Sequence, residues 1–244
     1  MEDGTHAISG EDVGLEIERN LFYLSAERTG TEAISSVSSE AKCGTKGEFL
    51  LGTFEQEKSI PVIHELVKES SSSTLSAQLN YWLSYILEIK LEMSTELRTE
   101  LDVQTSYKSD GIANLSPSQL GAGVGYLTKI LLLCLRSKKN DVLLIENPEI
   151  HLHPAAQSRL GEFFAFIANA GIQLFIETHC DHMINKIRHE VYKKRLDASA
   201  VGILYKEDIR SPFLRISILP DGKLSEDFPT GFFDATLAEL IEIE

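Results

Sequence analysis

Cysteine is scarce in this 244-residue chain, which contains only Cys43, Cys134 and Cys180. Their wide spacing and odd number exclude a disulfide framework and a CxxC metal-binding pair. Because cysteines used in this way are typical of a reducing compartment, we expect a cytoplasmic protein. The first residues, MEDGTHAISGEDVG, are acidic and polar, so we expect no signal peptide there.

Positive charge and long apolar runs are also scarce. The chain has 23 Lys and Arg residues against 37 Asp and Glu residues, which gives a net charge of −14. Its overall field would therefore repel nucleic acid, and such a contact would need a local basic patch or a partner subunit. The longest apolar run, Ile130–Leu135, is far too short to span a bilayer, and we expect no membrane partner. The 43% hydrophobic content still supplies a real core.

The first half of the chain mixes weak strand, loop and helix signals. Residues 1–14 are expected to be disordered or loosely attached. Residues 15–25 predict a strand that leads into a loop, and residues 29–48 are rich in Ser, Gly, Thr and Glu, which predicts a long loop. Apolar residues recur at helical spacing over residues 61–68 and 74–101, which predicts two helices.

The pattern changes after about residue 112, where helices and short apolar strands alternate. Helices are predicted over residues 121–136, 154–170 and 183–196. Strands are predicted over residues 141–146, 172–177, 201–205 and 213–219. This alternation favours an α/β fold with a mostly parallel sheet flanked by helices. We therefore divide the chain into a strand, loop and helical insert over 15–111 and an α/β lobe over 112–244.

The first motif with chemical content is VLLIENPE over Val142–Glu149, which predicts a buried strand ending in Glu146. Open α/β sheets place ligands at the carboxyl ends of their strands. In nucleotide hydrolases an acid at this place holds the magnesium ion, often through water, and a nearby acid orients the attacking water. A strand that happens to end in glutamate before a proline turn explains the same residues without any function.

Two histidines, His151 and His153, follow at a spacing that could suggest a metal site. No cysteine or third histidine lies at a suitable distance in the sequence, so a loop that closes the strand-to-helix turn is the preferred interpretation. The next strand, ending in ETHCDH, places His179 where a γ-phosphate on the neighbouring strand's ligand is within reach. The alternative is a structural hydrogen bond. A Cys180–His179 nucleophile pair is disfavoured, because adjacent strand residues point to opposite faces.

These segments together resemble a known group of proteins. LLIENPEIHLHPAAQ, FIETHCDHMINKIR and FPTGFFD are similar to a branch of bacterial ABC/AAA-type ATPases with a DUF3696-like carboxy-terminal region, related to overcoming-lysogenisation and Rad50-like ATPases. The stretch FYLSAER over residues 22–28 resembles the YLGPLR stretch of that branch. The resemblance extends over about residues 20–240 and is strongest over 120–185. It implies an ABC-ATPase-like second lobe.

The resemblance implies roles for residues around a nucleotide site shared between two subunits. By position, Glu146 matches the Walker B acid that holds Mg²⁺, and Asn147 falls where many relatives have the catalytic acid. Glu149 is the nearest remaining carboxylate, and His179 matches the switch histidine. Catalysis is thus assigned to Glu146, Glu149 and His179, with ATP and Mg²⁺ as cofactors.

The resemblance also implies a signature segment, which in relatives looks like GxGVSQ and contacts the nucleotide of the opposite subunit. We assign it to GAGVGY over Gly121–Tyr126, with Gly121, Gly123, Val124 and Gly125, together with Asn147, as nucleotide-binding residues. Gly125 stands where relatives have serine, so one hydroxyl contact to the γ-phosphate would be lost. An alternative is LSPSQ over Leu115–Gln119, although its proline has no amide hydrogen to donate.

A phosphate-binding loop, GxxxxGK[S/T], occurs nowhere in the 244 residues. The nearest stretch, CGTKG over Cys43–Gly47, has the wrong spacing. In the family a lobe with that loop precedes the YLGPLR stretch, so the first lobe is expected to be lacking. A split ATPase, a degenerate pseudo-ATPase and a truncated chain all remain open, and the split ATPase is preferred because the acids and His179 remain at useful positions.

The sequence therefore predicts a subunit of a split ABC-type ATPase, active only with a partner that bears a phosphate loop. The resemblance implies control of a nuclease or other effector in DNA maintenance or anti-phage defence, within a hetero-oligomer. The alternative is a non-catalytic pseudo-ATPase module that docks an effector. The basic helix over Asn185–Arg195 could touch nucleic acid, although a solvated face or a contact with an acidic partner is preferred. A lone second lobe should also expose an apolar face that its partner covers.

Overall fold

The computed structural model describes residues 14–30, 32–228 and Phe232. The expectation for residues 1–14 therefore lies outside the described residues except at Gly14, and so does most of the FPTGFFD segment. The strands within the described residues are β1 (Leu21–Leu24), β2 (Ile34–Ser36), β3 (Leu91–Leu97), β4 (Asp102–Ser109), β5 (Ile112–Leu115), β6 (Val142–Glu146), β7 (Gln173–Glu177), β8 (Gly202–Tyr205) and β9 (Leu214–Ser217). The α-helices are α1 (Leu50–Glu57), α2 (Leu75–Leu87), α3 (Ala122–Leu135), α4 (Pro154–Asn169) and α5 (Asp181–Tyr192).

A parallel three-stranded sheet with the order β1-β6-β7 positions the candidate site. Leu24 pairs with Ile145, and Ile145 pairs with Ile176, so the three strands end at the same level. On one face of this sheet, side chains of β1 and β6 are buried in a single core with apolar side chains of α3 and α4. The prediction of an α/β fold with a parallel sheet flanked by helices is confirmed.

The opposite face of the same sheet is partly open. Successive strand residues point to opposite faces, so Tyr23, Leu144 and Phe175, which are register partners, form one row across it. Tyr23 is 37% exposed and Phe175 is 52% exposed. We call this row the open face. Parallel sheets normally have both faces covered, so this surface is unusual for the architecture.

A second, antiparallel sheet contains β2, β4 and β3 in that order, with β5 paired to β4. The helix predicted over 74–101 is therefore wrong beyond Leu87. The helical apolar spacing ends where Glu88 adopts a left-handed conformation with φ of 56°. The following segment buries alternate residues, Leu91, Met93 and Thr95, against β4, which is the strand period of two.

Other local expectations in the first half also need correction. The helix predicted over 61–68 is only a short 3₁₀ turn at His64–Leu66. The loop predicted over 29–48 contains β2, and the helix α1 that follows it was not predicted. In the second half, α3, β6, α4 and β7 lie where the sequence places them. The strands β8 and β9 are also present, but they pair with each other antiparallel in a separate two-stranded sheet.

Among the described residues, no helix is long and apolar enough to cross a membrane.

Candidate nucleotide site

The carboxyl ends of β6 and β7 meet at one edge of the parallel sheet. Glu146 and Glu177 are register partners at this edge, and the backbone N–H of Asn147 donates to the carbonyl of Glu177 at 2.8 Å. Asn147 has φ of +39°, so the chain turns sharply as it leaves β6. The loop that follows β6 is thus fastened over the end of β7, where open parallel sheets bind ligands.

Both carboxylate oxygens of Glu146 are held by β1 and the segment that follows it. The Tyr23 hydroxyl donates to Oε1 at 2.6 Å, and the backbone N–H of Ala26 donates to Oε2 at 3.0 Å. The bond from Tyr23, followed by that from Ala26, lowers the pKa of Glu146. Glu146 is consequently ionised at neutral pH, as a carboxylate that holds a divalent cation must be.

Replacing Tyr23 with phenylalanine should raise the pKa of the Glu146 carboxyl, because the bond that contributes most to its depression is lost. The carboxylate is then protonated at a higher pH than in the wild type as the solution is acidified. NMR titration of the glutamate carboxyl carbons would measure this midpoint in both proteins. Tyr81→Phe, on α2, is the matched control and should leave the midpoint in place. An unchanged midpoint in Tyr23→Phe would mean that this hydroxyl does not govern Glu146.

Glu149 connects the loop after β6 to the end of β7. Its Oε1 accepts a hydrogen bond from the backbone N–H of His179 at 2.9 Å. Its Oε2 is buried and has no hydrogen-bond partner within the described part of the chain. Buried carboxylate oxygens are normally satisfied, so this acceptor is suited to a water molecule or ligand group that enters the site. Glu146, Asn147, Glu149 and His179 are thus brought together at the carboxyl ends of β6 and β7.

Cys180 and the histidine pair have structural positions. Cys180 lies at the N-cap of α5, and burial raises the pKa of its thiol, which opposes formation of a nucleophilic thiolate. His153 occupies the N-cap of α4, where its Nδ1 accepts from the N–H of Ala155 at 3.4 Å. His151 is exposed and has φ of +62°. The loop interpretation of the histidines fits this arrangement.

The Gly121–Tyr126 segment is helical from Ala122 onward, so the signature-like segment is the first turn of α3 with Gly121 at its N-cap. A Cβ placed on Gly123 would lie 2.3 Å from the carbonyl oxygen of His151. One placed on Gly125 would lie 1.6 Å from the carbonyl oxygen of Gly30. These two glycines therefore allow α3 to pack against the loop after β6 and the loop after β1. Gly121, by contrast, faces open space.

The competing LSPSQ segment is used locally. Ser116 begins a 3₁₀ turn at Pro117–Gln119, and the Gln119 side chain accepts from the backbone N–H of Ser116 at 2.8 Å. The CGTKG stretch is also engaged, because the backbone N–H groups of Lys42, Cys43 and Gly44 all donate to the Glu18 carboxylate at 2.7–2.9 Å. Those amides already bind an anion within the chain.

Arg28 was not singled out from the sequence, although it lies within the FYLSAER stretch. It is 2% exposed. Its Nη1 donates to the carbonyls of Ser25 at 2.9 Å and Glu146 at 2.6 Å, and its Nη2 donates to the carbonyl of Asn147 at 2.6 Å. Burial lowers its pKa to about 10, which leaves it charged at neutral pH. The side chain thus fastens together the ends of β1 and β6.

Two basic residues of the α5 region, Lys186 and Arg195, are engaged in ion pairs within the chain. Lys186 lies 2.7 Å from Glu162 and 3.1 Å from Glu190, and Arg195 lies 2.6 Å from Glu190. Glu190 is buried. These contacts favour the interpretation of this region as part of the protein's own surface over that of a nucleic-acid contact.

The described residues contain no group of three or more His, Cys, Asp or Glu side chains that could hold a metal ion. Magnesium does not need such a cage in nucleotide sites, where one or two carboxylates act together with substrate phosphates. The ionised Glu146 at the end of β6 fits this partial role. The residues therefore fit Mg²⁺ as a companion of nucleotide phosphates.

Comparison with known families identifies the class of protein. A profile of the family described as "AAA domain, putative AbiEii toxin, Type IV TA system" matches residues 56–185, which is more than half of the chain and includes Glu146, Glu149 and His179. The chain therefore belongs to this AAA-domain family. No curated protein matches the sequence.

Solved structures of Smc head domains show low overall similarity to the chain. One from Pyrococcus yayanosii, with a coiled coil and joint, has 12% identity and a TM-score of 0.42 over 61% of this chain and 27% of that one. One from Pyrococcus furiosus, bound to the C-terminal domain of ScpA, has 14% identity and a TM-score of 0.38 over 69% and 37%. An Smc head bound to the C-winged helix domain of ScpA has 12% identity and a TM-score of 0.42 over 68% and 54%. The chain therefore covers between 27% and 54% of the length of these Smc head structures.

Proposed function

We propose that this chain is one subunit of a split ATPase, which supplies the metal acid and the water-orienting acid to an ATP site completed by a partner chain. The observation that carries the proposal is the position of Glu146 and Glu149 at the end of a parallel sheet whose other face is uncovered at Tyr23 and Phe175. An AAA-domain family supplies the class of chemistry.

Each site residue then has a defined task. Glu146, held ionised by Tyr23 and Ala26, positions a Mg²⁺ ion that neutralises charge on the nucleotide phosphates. Glu149 has one oxygen fixed by the His179 amide and one without a partner, and the second oxygen orients the attacking water. The exposed His179 side chain senses the γ-phosphate. Both ATP and Mg²⁺ are shared with the partner.

We assign the phosphate-binding loop to the partner, because GxxxxGK[S/T] is absent from these 244 residues. The open face indicates where that partner binds. Glu146 and Glu177 lie on the same face, two residues beyond Leu144 and Phe175, so a helix laid along the row would run beside the two acids. A basic phosphate loop there would also meet a chain with a net charge of −14, which favours association.

The first turn of α3 is the proposed contact to the nucleotide bound by the opposite subunit. Gly121 is exposed at the helix N-terminus, where backbone N–H groups and the helix dipole favour phosphate. The family description names a putative toxin of type IV toxin–antitoxin systems, which fits an ATPase that controls a toxic effector such as a nuclease. If the assembled complex lacked activity, the chain would instead be a docking module for that effector.

The test is reconstitution with the partner. A chain that carries GxxxxGK[S/T] and is encoded beside this one should co-purify with it, and Mg²⁺-dependent ATP hydrolysis should appear only when both are present. Hydrolysis by the partner alone at the same rate would show that this chain contributes nothing to the site. Full hydrolysis by this chain alone would overturn the split arrangement.

Replacing Phe175 with lysine should weaken binding of the partner at least about tenfold, because large aromatic side chains dominate apolar interfaces. The thermal stability of the isolated chain should be unchanged, since Phe175 is 52% exposed. Ile112→Lys is the matched control, because Ile112 is 60% exposed on β5 of the other sheet. Affinity would be measured by calorimetry or pull-down titration. Equal affinities for the two variants would place the interface elsewhere.

A further inference from the structure

The guanidinium of Arg28 is buried without a carboxylate partner among the described residues. Its hydrogen bonds go only to the backbone carbonyls of Ser25, Glu146 and Asn147, and its Nε has no partner in that part of the chain. Burying such a charge is unfavourable, and backbone dipoles compensate it only in part. The side chain therefore trades stability for a fixed geometry of the two strand ends. Lysine could not reproduce that geometry, because it lacks the planar fork of donors.

The same guanidinium lies over one ring of an aromatic stack. The Arg28 Cζ lies 5.6 Å from the centre of the Tyr126 ring, and the Tyr126 and His151 rings are stacked with centres 5.1 Å apart and an interplanar angle of 25°. Tyr126 belongs to the first turns of α3, and His151 is exposed on the loop after β6. Tyr126 also lies within van der Waals contact of the position a Gly30 Cβ would occupy. The ring thus contacts two separate segments, the loop after β1 and the loop after β6.

We propose that Arg28, Tyr126 and His151 form a relay by which a contact at the N-terminus of α3 controls the position of Glu146. The relay rests on the proposed function only for its effect on ATP turnover. A partner or nucleotide that displaces the first turn of α3 moves Tyr126, which shifts the Arg28 guanidinium that lies over its ring. Arg28 then pulls on the carbonyls of Glu146 and Asn147, which are covalently part of the acid's own strand end.

Arg28, Tyr126 and His151 are thereby positioning residues, because none of them needs to touch the nucleotide. The relay connects the first turn of α3 with the carboxyl end of β6. Docking at the opposite subunit would then be felt at the metal acid. This is the coupling that ties hydrolysis to assembly.

The first test uses the isolated chain and needs no ATPase activity. The Ala26 amide donates to Glu146 Oε2, so its hydrogen exchange reports the position of the acid. Tyr126→Leu should raise the exchange rate of this amide at least about tenfold, because exchange follows local opening. Tyr126→Phe keeps the ring and should behave as the wild type. The Thr105 amide, bonded to the Ala33 carbonyl in the other sheet, should be unchanged in both.

The second test uses the reconstituted complex. Tyr126→Leu and Arg28→Lys should lower kcat about tenfold or more, the range found for groups that orient metal ligands, with a smaller change in KM. If Arg28→Lys does not fold, the same fall in kcat is expected in Tyr126→Leu and in His151→Ala. Unchanged Ala26 exchange in Tyr126→Leu would overturn the relay, whether or not ATP is hydrolysed. If Ala26 exchange rises in Tyr126→Leu but the wild-type complex does not hydrolyse ATP, the relay stands and the proposed ATPase function is rejected.

Discussion

Replacing Gly125 with serine, which places the usual signature residue at this position, is expected to destabilise the protein by about 3 kcal/mol instead of improving its site. A Cβ at Gly125 would lie 1.6 Å from the carbonyl oxygen of Gly30, and no side-chain rearrangement removes a clash with backbone. Either α3 or the loop after β1 must move. The melting temperature should fall by roughly 6–12 °C, as measured by calorimetry.

The matched control is Gly121→Ser, four residues earlier in the same segment. A Cβ there meets no atom within 4 Å, and serine is a favourable N-cap, so stability should change by a few tenths of a kcal/mol at most, in the stabilising direction. If Gly125→Ser were as stable as Gly121→Ser, the close approach of α3 to Gly30 would be wrong. In that case the only consequence of glycine at position 125 would be the lost hydroxyl contact to the γ-phosphate.

In the complex with its phosphate-loop partner, Glu146→Gln should lower ATP hydrolysis by at least about a hundredfold, because the charge that holds the metal ion is lost. The substitution should be mild for folding. Glutamine keeps one oxygen that can accept from Tyr23 or Ala26, and Glu146 is only half-buried. Steady-state phosphate release at several Mg²⁺ concentrations would measure the effect.

Glu149→Gln distinguishes the role of Glu149 from that of Glu146. It should abolish hydrolysis to a similar degree yet leave Mg²⁺-dependent ATP binding intact, whereas Glu146→Gln should weaken that binding. Glu92→Gln, on β3 of the other sheet, where the carboxylate pairs with Lys108, should behave as the wild type. Wild-type hydrolysis by the complex with Glu146→Gln would mean that this chain only docks an effector.

The carboxyl ends of β6 and β7 could be predicted from the sequence, because each strand and the acid that ends it lie in one short stretch. Val142–Glu146 and Gln173–Glu177 are apolar runs that each end in an acid, and parallel pairing aligns their ends. Arg28 could not be predicted in the same way. Its acceptors at Glu146 and Asn147 lie more than 100 residues away in sequence, and nothing local marks a carbonyl as a partner.

The helix predicted over 74–101 was wrong beyond Leu87 because contacts distant in sequence determine the structure there. Glu88 ends α2 in a left-handed conformation that usually calls for glycine or asparagine, so no residue signalled the end of the helix. Thr95 and its neighbours on β3 then form a strand because β4 pairs along their whole length. At Gly123 and Gly125 the sequence suggested contacts to nucleotide, whereas the structure uses the small size of these residues for helix packing.

The open face has a consequence for the amount of this protein in the cell. If a partner covers Tyr23, Leu144 and Phe175, its binding stabilises the folded chain by mass action, in proportion to the logarithm of its concentration. Chains made in excess of the partner would keep Tyr23 and Phe175 exposed, and they would be degraded or aggregate more readily. The level of this protein would then follow the level of its partner without any dedicated regulator.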